Sequence, residues 1–348
     1  MTENILKERE KAILRYVIHQ FILNAMPVGS RLISKKYNLG LSSATIRNIM
    51  SDLEEMGYLD HPHTSAGRIP TDKGYRVYVD SLMDPPVLDR EAKKIIDMNF
   101  ETQFSDAEEL LRITSYVLSE LTNQLALVTY PKFDQAVLEK IQIVRLSSTR
   151  VLVVVSIRSG MVRTITLEIN AESKEEHIEL VQNYLNEKLC GLTFTEIKNS
   201  FEERMRDVNK DSLQPVIRVF IESVDKIFKD TSTDKALVTG TKNILKHPEF
   251  IDPSNIQTII ELIENQDIII HILDNRREND PNKVSVSIGG EINDEKLSEY
   301  SMITKEYSIG DVKGTLGIMG PKRMEYPKMI ATIEYIAEQL SKELTQIG

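Results

Sequence analysis

Two short apolar stripes joined by Asn38-Leu39-Gly40 constrain what this chain can fold into more than any other feature. In the first, Leu32, Ile33 and Tyr37 share a helix face that Ser30 caps at its start and that Asn38 and Gly40 end. In the second, Ile46, Ile49 or Met50, Leu53 and Met56 recur at helical spacing behind Ser42 or Ser43 as N-cap, and Gly57 closes the run. Two short helices across so tight a turn read as a helix-turn-helix. A longer helix from about Asn4 to Asn24 precedes them, with Ile13, Leu14, Val17, Ile18, Phe21 and Ile22 on its core face. Tyr58 to Pro70 follows as two short strands around a small-residue loop, a wing, and Gly74 to Asp80 leads into a closing helix.

The outer face of the third helix carries Ser43, Thr45, Arg47, Asn48 and Ser51, whereas Asp52, Glu54 and Glu55 appear only in its second half. A recognition helix enters the major groove by its N-terminal part, where Arg pairs with guanine and Asn with adenine, and late acids stay clear of phosphate. Ser43, Thr45, Arg47 and Asn48 are therefore the expected base or near-base contacts. An ordinary surface helix would carry a similar stripe; the wing directly behind it separates the two readings.

The net charge of −10 argues against nucleic acid only when taken as one number. Residues 1–80 hold 11 basic and 9 acidic side chains, the remainder 32 and 44, and Pro27 to Ser51 contains four bases and no acid. Arg31, Lys35 and Lys36 are expected to neutralise phosphates, Arg68 to reach the backbone or minor groove from the wing, and His63, Thr64 and Ser65 to donate to phosphates. His61 and His63 lack further ligands for a metal.

Leu41-Ser42-Ser43-Ala44-Thr45-Ile46-Arg47-Asn48, with Met50, Leu53-Glu54 and Gly57, then Pro62 to Pro70 and Gly74-Tyr75-Arg76, resembles the HrcA family of heat-inducible transcription repressors. Thr315 to Met324 with Tyr326 looks like the family's C-terminal signature, and Ile288-Gly289-Gly290-Glu291 is a weaker match, so the resemblance spans the chain. It implies a homodimer on double-stranded DNA, a CIRCE-type inverted-repeat operator ahead of chaperone operons, and modulation by a GroEL-type chaperonin. It also implies the architecture. The expected chain is α+β and multidomain: a winged helix-turn-helix over 1–83, a GAF-like α/β domain over 88–170 and 233–348, and a mainly helical inserted dimerisation domain over 171–232.

The residues beyond Pro85-Pro86 bear on this directly. Helices are expected from about Asp89 and from Asp106 to Ala126, then a three-stranded antiparallel meander at Glu139–Leu146, Arg150–Arg158 and Val162–Glu168. Three helical stripes run on to about Lys229, and another helix lies near Ser254 to Ile263. Strands are expected at Asp267–Leu273, Val284–Ile288, Ser301–Tyr307 and Lys313–Met319 before a final helix, Met329–Leu344.

Gly314, Gly317 and Gly320 do not form a dinucleotide fingerprint, no phosphate-loop Gly-Lys-Ser/Thr occurs, and the six histidines show no metal spacing, so no enzyme and no cofactor are expected. The single cysteine, Cys190, reads as a packed core thiol. A charged N-terminus and apolar runs too short to span a bilayer predict a cytoplasmic protein with no membrane partner.

Overall fold

The computed structural model describes residues 6–62, 67–101, 104, 106–169, 175–206, 214–228, 236–251, 253–274, 280 and 282–347. Its N-terminal unit comprises α1 (Glu8–Asn24), α2 (Ser30–Lys36), α3 (Ser43–Glu55), β1 (Leu59–Asp60), β2 (Ile69–Pro70) and α4 (Asp72–Val77), which continues into a π-type turn, Tyr78–Leu82. Ile13, Leu14, Val17, Ile18, Ile33, Ile46 and Leu53 are buried completely, as their spacing predicts. β1 and β2 pair antiparallel, Leu59 with Pro70 and Asp60 with Ile69. Val28, in the loop after α1, exchanges both backbone hydrogen bonds with Arg68 at 2.8 and 3.0 Å, which ties the hairpin to that loop. The approach is close enough to require glycine at 67, since a Cβ there would sit 2.7 Å from the Pro27 carbonyl carbon.

After α5 (Arg90–Phe100) and α6 (Ala107–Thr122), the chain enters β3 (Leu125–Thr129). The helix expected to reach Ala126 stops earlier because Asn123 adopts a left-handed conformation, φ 53°, and the apolar run after it is a strand buried on both faces. β4 (Leu138–Arg145), β5 (Arg150–Ile157) and β6 (Val162–Glu168) form the expected meander, but as a sheet of their own. Its inner residues, among them Ile141, Val153 and Leu167, are buried in the same core as Ile178, Val181 and Leu185 of α7 (Glu175–Leu189) and Phe194 of α8 (Phe194–Arg204). The outer edge of β4 does not stand open. Asn186 of α7 both accepts from Ile141 N–H (2.7 Å) and donates to its carbonyl (2.8 Å), and Gln182 accepts from Ile143 N–H (2.8 Å). α9 (Gln214–Glu222) and α10 (Val224–Phe228) complete this part, with Phe228 edge-on to Phe194 at 5.2 Å.

The larger sheet has five antiparallel strands in the order β7-β3-β10-β9-β8, where β7 is Ala236–Thr239, β8 Ser285–Ile288, β9 Tyr300–Ile309 and β10 Val312–Pro321. β3 and β7 are neighbours in space but lie on either side of the separate three-stranded unit in sequence. Alternation in β3 sends Ala126 and Val128 to a core shared with α14 (Tyr326–Ile347), and Leu125 and Leu127 to the opposite one. That second face is covered by α12 (Pro253–Glu264) and α13 (Gln266–Asp274), which follow a short α11 (Thr241–Ile244). α13 corrects the strand expected at Asp267–Leu273. Ile269, Ile272 and Leu273, spaced three and four apart, are the buried positions, and this is the periodicity of a helix on a sheet.

Cys190 is exposed rather than packed. It follows the last residue of α7, just ahead of Gly191 at φ +87°, and its thiol donates to the Glu139 carbonyl at 3.1 Å. Among the described residues, no helix is long and apolar enough to cross a membrane.

Candidate nucleic-acid interface

α3 is positioned by both of its ends. Ser42 caps it, accepting from the Thr45 N–H at 3.1 Å, and Oγ1 of Thr45 lies 2.9 Å from the Ser42 hydroxyl. The C-terminal end is held by Lys73, whose ammonium donates to the Met56 carbonyl at 2.8 Å and lies 4.3 Å over the Tyr58 ring. With Ile46, Met50 and Leu53 turned into the core, Thr45, Arg47 and Asn48 face outward and exposed. The side chains of Arg47 and Asn48 make no hydrogen bond or ion pair among the described residues and can serve as donors to an external partner.

α2 leans on α1 through a stacked Tyr16–Tyr37 pair, ring centres 3.7 Å apart. The buried Gln20 amide links the two helices further, donating to the Tyr37 hydroxyl (2.7 Å) while its oxygen accepts from Lys36 Nζ (2.9 Å). Burial pushes the Tyr37 phenol above its ordinary value. Ser30, expected as the cap of α2, is instead its first residue behind Gly29, and its hydroxyl lies 3.1 Å from that of Ser43. Ser43 is thus a half-buried contact between α2 and α3 rather than a free surface donor.

The expected contacts therefore separate. Arg31, Lys35, Thr45, Arg47 and Asn48 are all exposed, and Lys36 is exposed but drawn back toward Gln20. Arg31 and Arg47 line a shared groove of about 330 Å³ with Gly29, Ser30, Met50 and Arg68. Arginines at one concavity suit an anion with several oxygens, although Arg68 is also engaged elsewhere.

Arg68 is placed differently from the expectation. Its Nε donates to Glu54 of α3 at 2.6 Å, Nη1 lies 2.9 Å from His61 Nδ1, and the side chain is 18% exposed. It fastens the hairpin to α3. Glu54, counted in sequence only as a late acid, is the residue sequence reasoning missed. The two partners lie 14 positions apart across the hairpin, with no periodic signal to join them. His63, Thr64 and Ser65 lie outside the described residues.

Comparison with known proteins bears on the whole chain. A family model described as "HrcA protein C terminal domain" matches residues 108–330. The heat-inducible transcription repressor HrcA of Chlorobium phaeobacteroides (strain BS1) is 39% identical over 349 residues, covering 98% of this chain and 99% of its own. That of Acetivibrio thermocellus is 38% identical, covering 98% and 97%. Among solved structures, a hypothetical protein known from a crystal structure at 2.2 Å resolution superposes with a TM-score of 0.60 at 26% identity, over 99% of this chain and 100% of that one. Over nearly its full length, this chain belongs to the HrcA family of heat-inducible transcription repressors.

Proposed function

We propose that the protein represses chaperone genes by binding an inverted-repeat operator of CIRCE type, as a homodimer, through its N-terminal unit acting as a winged helix-turn-helix. One observation carries this reading. Arg47 and Asn48 stand exposed on the N-terminal half of α3, and Arg47 lines a groove with Arg31 and Arg68. In this reading α3 lies in the major groove with Thr45, Arg47 and Asn48 toward base edges. Arg31, Lys35 and Lys36 take phosphates, and His63, Thr64 and Ser65 extend the contact along the hairpin. The residues 1–83 are the DNA-binding domain.

The five-stranded sheet with its helices on both faces is read as the GAF-like domain. The dimerisation domain is read as the unit inserted between β3 and β7, which takes in the three-stranded sheet as well as the helices of 171–232. Val144 and Val162 stand exposed on the outer face of that sheet with Leu146 beyond the end of β4, an apolar surface consistent with self-association. A dimer suits an inverted repeat because protein two-fold symmetry and operator dyad must coincide. A chain whose sheet closes only after an insertion of about a hundred residues folds slowly, which fits a dependence on a GroEL-type chaperonin in the cytoplasm.

The test is an anisotropy titration of full-length protein against a chaperone-operon promoter duplex and a scrambled duplex of equal composition, with and without chaperonin. A preference of at least about a thousandfold for the promoter at physiological salt is expected. Equal affinities would reject the reading.

A further inference from the structure

Three motifs that DNA contact leaves unexplained, Gly74-Tyr75-Arg76, Ile288–Glu291 and Gly320–Arg323, meet at one place, the junction between the N-terminal unit and the five-stranded sheet. Arg76 of α4 crosses this junction with a side chain only 15% exposed. Its Nε donates to Glu291 at 3.0 Å, its Nη2 to the other oxygen of the same carboxylate and to the Val286 carbonyl at 2.6 Å, and its Nη1 to Asp80 at 3.0 Å. Glu291 is itself aimed by its own turn, accepting from the Ile288 N–H at 3.0 Å. A second tie runs beside the first: Asp72 of α4 accepts from Gly290 N–H (3.2 Å) and pairs with Lys322 (2.9 Å). Gly289 sits at φ +55° so close that a Cβ there would lie 2.0 Å from an Asp72 oxygen. A third tie is Arg323, which pairs with Glu249 and donates to the Ile22 carbonyl of α1 at 3.2 Å.

We infer that Arg76 and Glu291 are positioning residues for operator binding. They hold the N-terminal unit in one orientation on the sheet body, and so set the separation of the two recognition helices in the dimer. This rests on the reading given under Proposed function. A bidentate guanidinium–carboxylate fork accepts little rotation, unlike a lubricated apolar contact, so it fixes angle as well as distance. Angle matters because half-sites one helical turn apart must be met about 34–36 Å apart, and one base pair of error displaces a helix by about 3.4 Å along the duplex. The charged ties flank a buried apolar core that runs on from Tyr75, Tyr78 and Leu82 to Ile288, Met324 and Tyr326, with Tyr75 against Tyr326 at 6.1 Å between ring centres. The apolar core holds the two parts together while the fork sets their angle, so losing the fork loosens orientation without dismantling that core.

The test uses full-length Arg76→Lys and Glu291→Gln, which keep volume but lose the fork. DNA is the inverted repeat that wild-type protein selects from a randomised duplex pool, its single half-site, and versions with the spacer changed one base pair at a time. Amide exchange is followed in parallel without DNA. Half-site affinity within about twofold of wild type is expected, with about tenfold weaker binding to the selected repeat and a broadened spacer profile, since preorganisation is what is lost. Exchange should quicken in Gly289–Ile292 and stay unchanged in α3. An unaltered spacer profile, unaltered exchange at Gly289–Ile292, or equal loss on half-site and full repeat would each overturn the inference. If wild-type protein selects no sequence, the DNA reading falls instead, and the exchange result alone decides whether the fork holds the junction.

Discussion

Arg47 and Lys35 lie on neighbouring helices and are both exposed, yet the chemistry of each predicts a different loss. Arg47→Ala removes a fork suited to guanine, so it should cost about 1–3 kcal/mol and relax the base preference at one operator position. Lys35→Ala removes a point charge from the last turn of α2, so it should weaken all duplexes alike and reduce the slope of log K against log salt by about one. Titrations across salt concentrations on matched and single-mismatch duplexes separate the two; a Lys35 variant that changes base preference would contradict the assignment. At the same scale, burial pushes the Tyr300 phenol up to about 12 and raises Tyr75, Tyr307 and Tyr326 as well. The folded state holds these protons more tightly than the unfolded chain, whose phenols titrate near 10. Their contribution is therefore complete below pH 10 and drains away as pH climbs toward 12. Urea midpoints should fall over that window while phenolate absorbance from the buried rings appears only with unfolding. Titration near 10 in an intact fold would contradict their burial.

Between elements, the Arg68–Glu54 pair decides how firmly the hairpin sits on α3. Glu54→Gln should release the guanidinium and remove a negative charge beside the recognition helix. Non-specific DNA affinity should then rise, its salt slope steepen by about one, and amide exchange in β1 and β2 quicken. A double-mutant cycle with Arg68→Ala in thermal unfolding should give a coupling of about 1 kcal/mol. Unchanged exchange and no coupling would mean the pair is incidental. Elements with a strong period were legible before any coordinates. The third-helix stripe with a serine cap, resolved to Met50 and Ser42, and the β-rich segments of β4–β6 with their turns predicted what formed, because each is decided by neighbours a few residues away. Asp267–Leu273 was not legible, since a short run of isoleucines suits a strand or a helix and only its seat on the sheet beside Leu127 and Met302 resolves it. The same limit hid β3, fused in sequence to the end of α6, and the Glu54–Arg68 pairing, which no local pattern announces.

At the scale of the molecule, contiguity in sequence misleads about sheets. The meander looked like the opening of the larger sheet, yet β3 pairs with β10 and β7, residues more than a hundred positions away, while β4–β6 close on α7. The candidate site was more legible than the architecture because it is carried by one helix and its flanks, whereas the architecture depends on pairings across the whole chain. What joins the two is the junction of Arg76, Asp72 and Arg323, through which the body that would set the dimer geometry reaches the unit that would read DNA. The central claim is that α3 reads an inverted repeat, and hydroxyl-radical footprinting of a chaperone-operon promoter with full-length protein at physiological salt tests it most directly. The account expects two protected patches related by a dyad on one face of the duplex, both lost with Arg47→Ala. Protection that is absent, or that is uniform along the duplex and indifferent to Arg47→Ala, would contradict it.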